Sequence, residues 1–105
     1  MRLLRHTRSS EPGLLVLISL LEGAKHGYAI AQDVERLTGR RPGPGTLYGA
    51  ISRLEDAGLI EPQPAAARRK PYGLTPAGRS EAERELSRMA SLAREGQRRL
   101  RTAPA

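Results

Sequence analysis

Leu47, Ile51 and Leu54 recur at i, i+4 and i+7, which places them on one stripe of a helix. At about 100° per residue, Gly45, Gly49, Ser52, Arg53 and Asp56 turn the other way. The stretch from Pro42 to Glu61 therefore predicts a short two-faced helix, with Leu47, Ile51 and Leu54 toward a core. Gly58 follows the last apolar position, where a left-handed stop is common. Leu59 and Ile60 resume as extended chain. Upstream, Leu14, Leu15, Val16, Leu17, Ile18, Leu20 and Leu21 cover nearly every side of a helix that ends at Gly23. Such a helix must be covered all round, which predicts one face in its own core and another against a second subunit. Between these two, Ile30, Val34 and Leu37 predict a helix over 26–39 with one inner stripe. Arg40 to Gly45 then holds Pro and Gly, and regular structure is expected only from Thr46.

Downstream, Leu59-Ile60 and Tyr72-Gly73-Leu74 flank a polar tip and outline a β-hairpin. Arg68, Arg69 and Lys70 lie on its returning arm. Pro62, Pro64 and Pro71 cannot donate to a ladder, so its strands should be very short. Thr75 followed by Pro76 is a helix start, a capping hydroxyl ahead of Pro at the first helical position. The last helix should run to about Leu100. Ala82, Leu86, Met89, Ala93, Gly96 and Leu100 are spaced 4, 3, 4, 3, 4, a weak heptad seam. The seam is rich in small residues and suits close packing on another apolar helix, with 14–21 the candidate. Leu14, Leu17 and Leu21, together with Leu86, Met89 and Ala93, are the expected dimer contacts.

The expected fold is mainly α with a small β-wing: a winged helix-turn-helix followed by a long C-terminal dimerisation helix. The expected divisions are a basic arm at 1–9, the winged unit at 10–75, the dimerisation helix at 76–101 and a tail at 102–105. Ser10 would cap the first helix, with Glu11 and Pro12 in its first turn.

The chain has 105 residues, enough for one small domain. It has three Tyr, no Phe and no Trp, so its core is built from small aliphatics and gains by dimerising. Its net charge is +7 from 18 basic and 11 acidic residues, which favours a polyanionic partner, nucleic acid before an acidic membrane. Zero Cys excludes disulfides, thiolate metal sites and a Cys nucleophile. His6 and His26 have no ligand-spaced companions, so no metal and no cofactor are expected. The apolar run at 14–21 is too short to span a bilayer, and a cytoplasmic location is expected. No catalytic triad, paired carboxylate or phosphate loop is present, which argues against an enzyme.

Double-stranded DNA is the expected partner. Thr46, Gly49, Ser52 and Arg53 would face base edges, and Arg53 could also reach a phosphate. Arg68, Arg69 and Lys70 would contact phosphates. Tyr48 lies between the two faces of its helix, and either a phosphate contact or packing under the wing suits it. A winged-helix module that docks another protein is the alternative, separated by salt-dependent, sequence-selective DNA binding.

HGYAI, then GTLYGAISRLEDAGLI, then YGLTPAGR, in this order and spacing, resembles the PadR-like family of bacterial transcriptional regulators. The resemblance covers about residues 11 to 80, and its central segment is the most specific part. It implies a homodimer that binds operator DNA, usually as a repressor. It implies the third helix in the major groove, the wing on the flanking backbone and a final helix exchanged with the partner subunit. Some members sense small aromatic or drug-like ligands at the dimer interface. The prolines of the wing depart from the family pattern, and the final helix has no aromatic on which a flat ligand could stack.

Overall fold

The computed structural model describes residues 11–64 and 70–104. The expected basic arm, the Ser10 cap, Arg68 and Arg69 lie outside these residues. Helix α1 spans Glu11–Leu20, α2 Gly27–Thr38 and α3 Pro44–Asp56. Strands β1, Ile60–Pro62, and β2, Tyr72–Leu74, follow, and helix α4 runs over Pro76–Thr102. No helix among the described residues is long and apolar enough to cross a membrane.

The core forms where α1 meets α2, α3, the wing and the start of α4. Val16, Leu17 and Leu20 meet Ile30, Ala31 and Val34 of α2, and Leu47, Ala50, Ile51 and Leu54 of α3. Ile60 and Ala82 close it from the wing and from α4. The apolar stripe predicted for α3 is thus the buried one. In α2 the stripe differs: Ile30, Ala31 and Val34 are inside, but Leu37 is 51% exposed. Leu37 is in phase with Ile30, yet it falls in the last turn of α2, where only part of its surface is covered.

Regular structure begins at Pro44, two residues before the expected Thr46. Gly43 precedes it in extended conformation as the N-cap, and Pro sits at the first helical position, where its missing N–H costs nothing. The expected left-handed stop at Gly58 is present, with φ of 77°.

The wing is as short as its prolines require. β1 and β2 pair antiparallel over three residues each, Ile60 opposite Leu74 and Pro62 opposite Tyr72. A third segment joins them that the sequence pattern does not reveal. Lys25 bridges Tyr72, with N–H···O distances of 3.0 and 2.8 Å in the two directions. The turn after α1 is therefore tied to the far strand of the wing.

Thr75 caps α4 as expected, its hydroxyl accepting from Gly78 N–H at 3.0 Å. The same hydroxyl donates to the Gly58 carbonyl at 2.7 Å, and Thr75 N–H donates to the Leu59 carbonyl at 3.1 Å. Gly78 is pressed against this strand entry so closely that a Cβ there would collide with the Leu59 carbonyl oxygen. The beginning of α4 is thus joined to the end of α3. Beyond Ala82 the helix leaves the core, and the molecule measures 59 × 26 × 25 Å.

Candidate nucleic-acid interface

On α3, Thr46, Ser52 and Arg53 are exposed and Gly49 is half-buried, all opposite the Leu47, Ile51 and Leu54 stripe. The guanidinium of Arg53 lies back across Gly49: its Nη1 would be 3.3 Å from a Cβ at that position. Among the described residues Arg53 has no ion-pair partner. The face therefore carries one available cation on a surface of small groups. A flat face of this kind lets helix backbone approach a base-pair edge, and a guanidinium supplies paired donors.

Tyr48 lies at the flank of this face and is 52% exposed. Its ring rests on Gly27, at the first turn of α2, where a Cβ would stand 2.7 Å from the hydroxyl oxygen. Lys70 is exposed on the returning arm of the hairpin. Gln63 packs across Gly73, leaving space for no side chain larger than glycine there without a shift of the amide.

The α2 side of the interface holds residues that the periodicity left unmarked. His26 is the N-cap of α2, its Nδ1 accepting from Ala29 N–H at 3.3 Å. Its ring stacks near Tyr28, centroids 6.5 Å apart and planes inclined by 17°. Arg41, in the α2–α3 connection, places its guanidinium carbon 5.1 Å from the centre of the Tyr28 ring. The sequence signals for this group are the HGYAI segment, which holds His26 and Tyr28, and the Arg40-Arg41 pair in a Pro- and Gly-rich connection.

Beneath the wing, Lys25 is gripped from three sides. Its Nζ donates to the Ser19 carbonyl and to Glu22 at 2.9 Å, and lies 3.6 Å from Asp33. Asp33 also accepts from Arg36 at 2.6 Å, and its side chain is only 8% exposed. The Ser19 hydroxyl beside it, with the charges of Lys25 and Arg36, outweighs desolvation and holds the Asp33 carboxyl below the usual carboxylate range. Since Lys25 also pairs with β2, this cluster fixes the wing against α1 and α2.

The dimer contacts expected from the sequence divide into two groups. Leu14 is nearly covered and Leu17 fully covered by the subunit's own core, at 7% and 0% exposure. This is a correction: α1 is satisfied mostly within one chain, because α2, α3, β2 and α4 pack around it. Leu21 is half-buried against the same core. Ala82, the first seam position, is also inside. Leu86, Met89 and Ala93 are exposed on α4, and so are Leu92 and Leu100. Leu92 lies off the expected seam.

Comparison with known proteins places this geometry. The model of the "Transcriptional regulator PadR-like family" matches residues 15–84. An uncharacterized 37.1 kDa protein of transposon TN4556 from Streptomyces fradiae is 47% identical over 85 residues, 81% of this chain. The chain spans only a quarter of that relative's length, 25%. Transcriptional regulator Rv3488 of Mycobacterium tuberculosis is 34% identical over 85 residues, covering 78% of each chain. A solved PadR family transcription regulator from Clostridium difficile R20291 superposes with a TM-score of 0.73 at 26% identity, covering 85% of this chain and 97% of the other. The match spans the helix-turn-helix, the wing and the start of α4. This chain belongs to the PadR-like family of transcriptional regulators.

Proposed function

We propose that this protein is a sequence-selective regulator of transcription that binds double-stranded DNA as a homodimer. The observation that carries the reading is the division of α3. Its Leu47, Ala50, Ile51 and Leu54 are buried, while the opposite face exposes Thr46, Ser52 and Arg53, which has no ion-pair partner among the described residues, around a half-buried Gly49. α3 enters the major groove, Thr46, Ser52 and Arg53 meet base edges, and Gly49 permits the close approach. Tyr48 stands at the rim of the groove. Lys70, with Arg68 and Arg69, lies along the flanking backbone and fixes register without reading sequence. The net charge of +7 supports a polyanionic partner. The family, which is one of transcriptional regulators and not of enzymes, supports the same reading.

Dimerisation uses the exposed stripe of α4, Leu86, Met89 and Ala93. A two-fold axis there gives two α3 helices, so the operator is an inverted repeat with half-sites about 10 base pairs apart. Repression by occupying such an operator in the cytoplasm is the mode of action that follows. An effector at this interface is not part of the reading, since α4 has no aromatic side chain to hold a flat ligand.

The test is selection of bound fragments from a random DNA pool, followed by salt titration on the selected site. An inverted repeat, and an affinity that falls steeply with salt, are expected. Replacing Arg68, Arg69 and Lys70 by Ala should lower the salt slope by about 1 per residue per subunit and weaken all sequences alike. Enrichment of no sequence, with retention of a protein partner instead, would favour a protein-docking module.

A further inference from the structure

We propose that Tyr28, Tyr48 and Arg41 form a second contact with the DNA backbone, and that Glu35 holds Arg41 in the free protein. This rests on the reading of α3 as the groove-binding helix. The chain has only three Tyr, no Phe and no Trp. A domain so poor in aromatics has every reason to bury those it has, yet Tyr28 and Tyr48 are each 52% exposed. Tyr48 rests on Gly27, one residue from Tyr28, so the flank of α3 is continuous with the first turn of α2.

The guanidinium of Arg41 covers the Tyr28 ring at 5.1 Å and donates to Glu35 at 3.1 Å. Both members of that ion pair remain open to solvent, Arg41 at 42% and Glu35 at 48% side-chain exposure. Such a pair contributes little on its own and is readily exchanged for a stronger anion. A phosphate is that anion: it takes a guanidinium bidentately and accepts from phenolic hydroxyls at the same time. An aromatic plate beneath the guanidinium restricts its motion and keeps it at the edge of the groove. The placement also matches helix-turn-helix geometry, in which the helix before the recognition helix crosses the backbone. An acidic protein segment would satisfy the cation too, but DNA is favoured because Tyr48 makes this edge one surface with the outer face of α3.

The roles differ from those of Arg53 and of the wing. Arg41 is a positioning residue, so its loss affects every sequence equally. Glu35 competes with the phosphate, so its neutralisation strengthens binding, and only while Arg41 is present.

The experiment uses the chain of 105 residues and its selected DNA fragment, titrated over a range of salt. Arg41→Gln is expected to weaken binding roughly fivefold to tenfold on selected and unrelated DNA alike, and to lower the salt slope by about 0.9 per subunit. Glu35→Gln is expected to tighten binding about threefold in the otherwise unchanged protein and to have little effect beside Arg41→Gln. Both side chains are at the surface, so thermal unfolding of each variant should match the parent, and this is checked alongside. An Arg41→Gln protein with the parental affinity and slope overturns the proposal. So does a Glu35→Gln gain of equal size in both backgrounds, which would reflect general charge alone. A parent protein that binds no DNA overturns the reading of α3 itself, whereas normal binding by the parent with unchanged variants overturns only the second contact.

Discussion

Helix α3 hides Leu47, Ile51 and Leu54 and shows the solvent Thr46, Ser52 and Arg53. Helix α4 beyond Ala82 does the reverse, with Leu86, Met89, Leu92 and Leu100 all exposed. α3 is complete within one chain: its apolar side is covered and its polar side is wet. The outer part of α4 has an apolar stripe that none of the described residues covers. Isolated exposed leucines are ordinary on a protein surface, but a stripe of them along one helix is not. The two surfaces differ as the two proposed partners do. The face of small groups around the Arg53 guanidinium suits a groove of DNA. The aliphatic stripe suits a second copy of itself.

The strongest way to break this contrast is at the joint between the two helices. Gly78→Ala sets a Cβ against the Leu59 carbonyl oxygen, which belongs to backbone and cannot swing away. We expect a loss of about 3 kcal/mol or more, in the range of severe overpacking, read from chemical denaturation. A change below about 0.5 kcal/mol, typical of an open surface site, would mean that the joint is slack.

The corresponding test on the dimer, rather than on the fold of one subunit, is Leu86→Ala with Met89→Ala. These side chains are 37% and 46% exposed in one chain, so the fold of the subunit should survive. If a partner buries them, each truncation costs roughly 2–5 kcal/mol and occurs twice in a symmetric dimer. Sedimentation at micromolar concentration should show monomers, with DNA binding weakened although no DNA contact was altered. A double variant that remains dimeric would separate α4 from the interface.

Arg53→Ala sharpens the other side of the comparison. It should cost roughly 1–3 kcal/mol on the preferred site and relax the choice of base at one position. Uniform weakening on every sequence would make Arg53 a phosphate contact instead. The parental fold and oligomeric state are expected in either case.

The smallest effect concerns the region that belongs to neither face. Asp33 has a folded pKa below its ordinary value. Its contribution is therefore present above the unfolded Asp pKa of about 3.9, and is lost as pH falls below that through the folded pKa. Between about pH 6 and 8 this group should leave stability unchanged. Thermal unfolding followed down to strongly acid pH should show a decline that Asp33→Asn reduces. An unchanged decline in that variant would assign it to other carboxylates.

Much of this arrangement was legible in the chain. The two faces of α3 follow from a spacing of 4 and 3, and Gly58 marks its end. Thr75-Pro76 fixes the start of α4, and Pro62 and Pro71 keep the wing strands to three residues. What periodicity does not encode is which element covers a stripe. The all-round apolar α1 implied a partner subunit, but four neighbours within the same chain cover Leu14 and Leu17. Leu37 kept its phase but lost its cover at a helix end. Lys25 bridges Tyr72 through backbone atoms, an interaction that no side-chain pattern announces. The Tyr28 and Arg41 contact joins residues thirteen positions apart across a turn, and it needed the turn's path to be seen.

The seating of α4 also acts as an index. Thr75 and Gly78 hold the first turn against Gly58 and Leu59, so the direction of the Leu86 and Met89 stripe is counted from α3 along a continuous helix. Each residue added between Ala82 and Leu86 would advance the stripe by about 1.5 Å and rotate it by about 100°. One insertion would turn the aliphatic face roughly a quarter of a circle away, while seven would return it almost to phase about 10 Å farther out. In the proposed dimer, the length of α4 is therefore a quantity in which the spacing of two α3 helices can be written.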